Sequence, residues 1–544
     1  MQPITRRTVL TSAAAIASTA ALASCSRDNG GQAQDKIDNP DENINFEGMP
    51  IVNETITISM MSKRPSGTAE DWNTVASIKK MEQMSNIHVE WGLIPAEGIS
   101  ERRNLALASG DYPEVLYRTG LGAVDLAKHG AAGVLIPLND LIAQYMPNLT
   151  ARLDASPDIR KGMTFPDGNI YSLPTIYDPD FDSLLMQNQM WVRQDWLDQV
   201  GMEVPTTLEE FEAYLDEVKA ANPAPSGETA IPLTDAGNAS GIYEMLWGTF
   251  GIQNRGRSVG SIDADPSGDG LRFIPVSDGY REALELLNRL YSKGLIQADI
   301  FNNDSDTFVN LGKQGLIGAC ATQTTRGYFG KEYGDRYVPL APLKKTSADP
   351  VPAWHSVGSP LAAFGNFAVT DKAEHPIEAC RWMDYFYGDE GARLFFLGIE
   401  DESYEKTDDG WDFTDVITDN PDGLTVDEAL IPYVIYMGGG YAGVVLEDYF
   451  KGMENSAQAR EGTAAVSEHR IDEVWPAFTF EPAEADEMSS LTTDITKLVD
   501  ESRAKFINGE LPLSQWDTYV GQFEQAGLPR YLEIQQAAYE RYVG

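Results

Sequence analysis

The stretch that most constrains the fold runs from Asp167 to Leu215, DGNIYSLPTIYDPDFDSLLMQNQMWVRQDWLDQVGMEVPTTLEEFEAYL. Pro166-Asp167-Gly168 is a turn signal. Two extended pieces follow, Ile170 to Ile176 and Ser183 to Arg193, with no room for a helix between them. A chain with this pattern passes from one folded body to another. Gln194 to Leu197 then opens a short helix that Gly201 can end in the left-handed cap conformation. Pro205-Thr206-Thr207-Leu208-Glu209-Glu210 opens a second helix. Thr206 or Thr207 accepts from free backbone N–H groups, Glu209 or Glu210 completes a capping box, and Leu208, Phe211, Leu215 and Val218 form the buried stripe.

Three runs in this stretch, Asp167-Gly168-Asn169-Ile170-Tyr171-Ser172-Leu173-Pro174, Trp191-Val192-Arg193-Gln194-Asp195-Trp196-Leu197 and Val204-Pro205-Thr206-Thr207-Leu208, match in order and spacing motifs of a known family. They resemble the extracellular solute-binding proteins, family 1, that feed oligosaccharides to ABC importers. The resemblance extends over nearly the whole chain beyond its N-terminal segment. It implies an α/β, two-lobed periplasmic-binding-protein-like fold with a hinge and an interlobe ligand cleft. It also implies an oligosaccharide ligand, ABC permease subunits as partners, a monomer, and no cofactor. Lobe 1 is expected over 54–178 and 360–430, and lobe 2 over 179–359 and 431–544. Tyr177 and Asp178 at the first crossing, with Trp191 and Arg193 beyond it, are candidate ligand contacts.

The N-terminus reads as a targeting segment. Arg6-Arg7 precedes a small, apolar run from Val9 to Ala23 with no acidic residue before Asp28. That run is too short and too alanine-rich to favour a spanning helix. Leu22-Ala23-Ser24-Cys25 has the pattern of a lipoprotein signal, so residues 1–24 would be removed and Cys25 acylated, anchoring the protein on the outer face of the membrane. An ordinary secretory signal with an incidental cysteine is the alternative, and Thr5-Arg6-Arg7-Thr8-Val9-Leu10 leaves Sec and twin-arginine export both open. Residues 25–53, rich in Asp, Asn, Gly and Gln, are expected to be a flexible tether.

Alternating strands and helices follow. Glu54 to Met60, Ile87 to Ile94 and Tyr112 to Tyr117 read as strands, and Trp72 to Met84 and Ser100 to Ala108 as helices, which predicts a mainly parallel sheet covered on both faces. Ligands gather beyond the carboxyl ends of such strands, which makes Lys63 and Arg64 candidates, and the resemblance implies that Ser109-Gly110-Asp111 and the strand after it lead into a cleft loop at Arg118 to Leu121, which makes Arg118 a candidate. Arg118 reads equally well as a surface arginine paired with a carboxylate.

In the second lobe, Tyr243, Trp247 and Phe250 recur at helical spacing and most simply pack in a core, while Trp247 is a candidate sugar platform by resemblance. The strand Leu316 to Ala321 leads to Gln323 and Arg326, and Trp354 precedes the second crossing; all three are candidates by resemblance. Tyr441 follows Gly438-Gly439-Gly440 and either reaches the cleft or fills a gap. Trp382, Tyr385 and the C-terminal Trp516-Asp517-Thr518-Tyr519-Val520 read as packing residues. No metal is expected. Asn222 to Glu228 lacks the carboxylates of the calcium loop that relatives carry there. Asp263 to Gly270 matches half of an EF-hand loop, but Ile274 stands where the closing Glu would be, so a hairpin turn is the reading.

Composition enters where function classes must be excluded. With 41 Lys and Arg against 83 Asp and Glu, the net charge is −42. No basic cluster appears, which argues against nucleic acid. So many carboxylates produce pairs by chance, and none sits in a recognisable glycosidase arrangement. There is no GxSxG elbow, P-loop or HExxH, and His88, His129, His355, His375 and His469 lie far apart. Cys320 and Cys380 form either one disulfide or two buried thiols. A two-lobed receptor needs aromatic faces and directional polar groups in a cleft, and the chain has ten Trp and 23 Tyr to draw on. A secreted glycoside-active enzyme and a peptide receptor of the same fold are the competing readings. The sequence names neither the sugar nor its charge.

Overall fold

The computed structural model describes residues 32–544 apart from Ser226, Asn238, Asp269 and Asp409. The expected signal 1–24, the acylation site Cys25 and residues 26–31 lie outside the described residues. From Gln32 onward the expected tether is a folded clasp. Ala33, Ile51 and Val52 are fully buried in the first core. The Asn residues that suggest a solvated linker bond the backbone instead: Asn43 Nδ2 donates to Glu54 O (2.9 Å), Asn45 Nδ2 to Pro50 O (2.9 Å) and Asn53 Nδ2 to Asn43 O (3.1 Å). Amide side chains replace the missing apolar content by closing turns.

Among the described residues the strands, in chain order, are β1 (Ile56–Arg64), β2 (Ile87–Pro95), β3 (Val115–Tyr117), β4 (Leu173–Tyr177), β5 (Gln189–Arg193), β6 (Ile231–Asp235), β7 (Ile262–Ala264), β8 (Leu271–Phe273), β9 (Ile317–Thr322), β10 (Tyr337–Pro339), β11 (Leu361–Val369), β12 (Tyr404–Thr407), β13 (Gly410–Phe413) and β14 (Gly443–Val445). The first sheet has the order β14-β4-β11-β3-β1-β2 and the second β10-β5-β9-β6. In the first sheet β1 runs parallel to β2 and β3, and β14 parallel to β4, as expected of an α/β body. β11 runs antiparallel to both its neighbours, because it enters from the other body. β1 extends past its expected end at Met60, so Lys63 and Arg64 close the strand itself.

The central crossing is as read, with one difference. Between β4 and β5 the chain forms a single helical turn, Asp182–Leu185, whose Leu184 and Leu185 are buried. Beyond β5 the helix Gln194–Val200 stops at Gly201, φ 71°. The helix Leu208–Ala221 carries a capping box from Thr207 and Glu210 over a stripe of Leu208, Phe211, Leu215 and Val218.

β14 sits beside β4, pairing Val444 with Ile176, so the segment through Val445 belongs to the first sheet rather than to lobe 2 as expected. A three-residue strand has no alternation long enough to read. The helix Pro482–Asn508 packs against both Ala123–Ala131 of the first body and Asp278–Ser292 of the second. β7 and β8 form the expected hairpin, in which the buried Asp263 carboxylate is committed to Arg272 (2.6 Å) and the Asn254 N–H (3.0 Å). Cys320 and Cys380 are buried free thiols, one in each body.

Three segments connect the bodies and are laced side by side. Tyr177 N–H donates to Pro360 O (2.9 Å), Asp178 N–H to Val445 O (3.1 Å) and Gly358 N–H to Leu185 O (2.8 Å). β11 leaves this hinge through a double register shift against β4, and Gly365 lies there at φ 89°. A Cβ at Gly365 would sit 2.1 Å from the Leu121 carbonyl oxygen. Gly365→Ala is therefore expected to cost about 2–4 kcal/mol through left-handed strain and overpacking. Urea unfolding checks this, and an unchanged midpoint would contradict it.

Candidate functional site

The carboxyl ends of β1 and β3 bring two cations together. Arg118 follows β3 with φ 54°, a conformation uncommon for a side-chain-bearing residue. Its N–H donates to Asn366 O (2.7 Å), which turns the side chain toward the loop after Tyr436. There Nε donates to Gly440 O (2.6 Å) and the guanidinium lies 3.8 Å from the centre of the Tyr436 ring. Nη1 is buried without a partner. Lys63 at the end of β1 is half-buried, and its pKa is lowered, first by burial and then by the Arg118 charge. Arg64, next along the strand, is half-buried as well.

Tyr177, at the end of β4, connects this corner to the second body. Its hydroxyl is pushed up to about 12 by burial, then by the Glu454 charge, with Arg257 acting against and Tyr436 with. Gly439 passes so close to the Tyr177 ring that an added Cβ would lie 3.4 Å away. Across the gap, Gln323 Nε2 reaches Glu454 Oε1 at 3.4 Å. Burial holds the Glu454 pKa above the usual carboxylate range and, together with Glu454, raises that of Tyr328. Toward the hinge, Arg257 pairs with Glu244 (3.6 Å), which also accepts from the Ser356 hydroxyl. Tyr177 and Arg257 line an interlobe cavity of about 510 Å³ with Gln187, Ser258, Gly122 and Phe364. Tyrosine faces, amides and separated charges drawn from both bodies suit a polar ligand with apolar ring faces.

The expected contacts divide. Tyr177 lines the cavity; Arg118 lies against Tyr436 with Lys63 beside it, Gln323 reaches Glu454, and Arg64 and Asp178 follow Lys63 and Tyr177 in the chain. Asp178 caps its own turn, accepting from Asp180 N–H (3.0 Å). Trp191 is wholly buried in the core of the second body, its Nε1 donating to Thr322 O (2.9 Å). Arg193 is buried too. Nε and Nη2 grip Asp195 at 2.7 and 2.6 Å and Nη1 donates to Gly315 O (3.1 Å). Burial works against the Asp195 carboxylate, but the Arg193 hydrogen bonds and charge outweigh it and lower its pKa. Trp191 and Arg193 are thus structural, a correction to the expectation.

Tyr441 is a core residue as well. It is fully buried, stacked 3.8 Å from Phe395, with its hydroxyl donating to Val444 O (2.6 Å). Arg326 lies on the surface, paired with Asp335 at 3.0 Å. Trp354 reaches the hinge, but its 4% exposure leaves no ring face for a ligand. Its N–H donates to His469 O (2.6 Å) and its carbonyl accepts from Ile471 N–H (3.3 Å). Trp247 is half-buried against the core, its ring edge-on to Tyr243 with ring centres 6.1 Å apart.

Sequence reading did not single out Tyr436, Glu454, Arg257, Glu244 or Tyr328. The triple glycine at 438–440 was the available signal for Tyr436. The others come from segments with no motif and meet only through topology.

A family model described as bacterial extracellular solute-binding protein matches residues 75–393. The fructooligosaccharide ABC transporter substrate-binding protein FusA of Streptococcus pneumoniae is 25% identical over 541 residues, covering 97% of this chain and 96% of that one. Its structure in complex with kestose matches with a TM-score of 0.73 at 23% identity, over 90% of this chain and 99% of that one. An extracellular solute-binding protein from Bifidobacterium longum subsp. infantis matches with a TM-score of 0.75 at 20% identity, over 90% and 99%. Lipoprotein LipO of Bacillus subtilis is 26% identical over 253 residues, 44% of this chain and 46% of that one.

Arg193 and Arg118, both buried, should behave oppositely. Arg193→Met removes one side of a buried pair and is expected to cost about 3–5 kcal/mol. Arg118→Met removes a charge held without a carboxylate and should change stability by no more than about 1 kcal/mol. Chemical unfolding of the two variants checks this, and equal losses would contradict the division into structural and cleft residues.

Proposed function

Because the chain belongs to the bacterial extracellular solute-binding protein family, we propose that it is the oligosaccharide receptor of an ABC importer. It captures its ligand between the two bodies and presents the closed form to the permease. The observation that carries this reading is the Tyr177 corner, where groups of both bodies converge beside a cavity at a laced hinge. A solute touching both sides gains contacts only when the bodies close, so binding and closure are one event. The similarity to a fructooligosaccharide receptor along almost the entire length supports a sugar over a peptide. A cleft built within one chain supports function as a monomer.

We further propose acylation at Cys25 and attachment to the outer face of the membrane, on the strength of the Leu22-Ala23-Ser24-Cys25 pattern. Cys25→Ser is expected to move the protein from the membrane fraction to the medium; retention in the membrane would contradict the anchor.

A thermal-shift screen with neutral and acidic oligosaccharides, monosaccharides and short peptides tests the receptor reading. An oligosaccharide at ~100 times its dissociation constant adds about 2.7 kcal/mol to folding, an upward shift of the melting midpoint. A response confined to peptides would overturn the ligand class. Time-dependent cleavage of a bound oligosaccharide would overturn the receptor reading in favour of an enzyme.

A further inference from the structure

Among the described residues three arginines are buried: Arg103, Arg118 and Arg193. Arg103 faces Asp125 at 3.3 Å and Arg193 faces Asp195 at 2.6 Å. That is the ordinary condition of a buried charge, which is paired because desolvation is otherwise uncompensated. Arg118 departs from it. The charged and titratable groups acting on it are Tyr117 and Tyr436, and the one acting on Lys63 is Arg118. Among the described residues no carboxylate pairs with either cation, in a chain with 83 Asp and Glu against 41 Lys and Arg. The carboxylates across the cleft are engaged elsewhere, Glu454 with Gln323 and Glu244 with Arg257 and Ser356.

Resting on the oligosaccharide-receptor reading, we propose that Arg118 and Lys63 form a subsite for a carboxylate of the ligand, so that the solute is an acidic oligosaccharide containing a sugar acid. The geometry selects a carboxylate among anions. Arg118 is immobilised by its Nε bond to Gly440 O and by the Tyr436 ring against its face. Only its Nη edge is left, with Nη1 still unpartnered. A planar group with two oxygens meets that edge in the guanidinium plane. Lys63 adds a point charge beside it. The acidic ligand supplies the counterion that the protein withholds, and a neutral sugar leaves both cations desolvated on closure.

Calorimetric titration of the purified protein with matched pairs tests this: trigalacturonic acid against its methyl ester, an aldouronic xylooligosaccharide against xylotriose, and sialyllactose against lactose. Lactose sulfate is a fourth probe. At least one acid is expected to bind 10- to 100-fold more tightly than its neutral partner, the range of charge-assisted hydrogen bonds, and to weaken with added salt. Arg118→Gln should shrink that ratio at least tenfold. Lys63→Met, at a less buried position, should shrink it severalfold and keeps the test open if the first variant does not fold. Neutral partners binding as tightly as every acid would overturn the subsite and leave the receptor reading standing. Preference for the sulfate ester over all the sugar acids would overturn the carboxylate assignment. Failure of every sugar, acidic and neutral, would overturn the receptor reading along with it.

Discussion

The structure depends on three backbone segments that pass between two bodies and bond one another on the way. Tyr177 to Pro360, Asp178 to Val445 and Leu185 to Gly358 are the bonds concerned. Each segment alone would be an ordinary loop. Laced together they confine relative motion to a hinge, because changes of φ and ψ in one strand of the set must be matched in the others. Around this axis the Arg470–Asp182 pair (2.5 Å) and the backbone pairing of Trp354 with the segment at His469–Ile471 add further ties. The cleft groups sit directly beyond the lacing, where a small rotation changes their separation.

Charge is distributed with the same economy. The surface is strongly acidic, and most buried charges carry an internal partner, as Arg193 does. Among the described residues the buried arginine without a carboxylate partner is Arg118, which lies with Lys63 beside the cleft. An uncompensated buried charge destabilises the empty protein, and a ligand that paired with it would recover that energy on binding.

Local chemistry was legible and assembly was not. Thr207 and Glu210 announce a helix start because a capping box is a contact between residues three apart, and Gly201 announces its neighbour's end. The alternation at Ile56, Ile58 and Met60 announces a strand because a buried face repeats every second residue. Trp191 and Arg193 misled because an aromatic or charged residue looks the same in sequence whether it fills a core or lines a cleft. The clue was Asp195, two residues on, which provides the pair. The stretch 32–53 misled because its Asn side chains do the work that apolar residues do elsewhere. Tyr436, Glu454 and Arg257 reach the site from three distant segments, and only the sheet order β14-β4-β11 brings the first of them beside Arg118 and Tyr177.

The central claim is that a sugar bridges two bodies and closes them, and small-angle scattering measures it directly. Radius of gyration should fall on adding a saturating oligosaccharide identified by titration, and should not fall with the Tyr177→Ala variant at the same concentration. A ligand that binds stoichiometrically while the radius of gyration stays unchanged would contradict closure about the hinge.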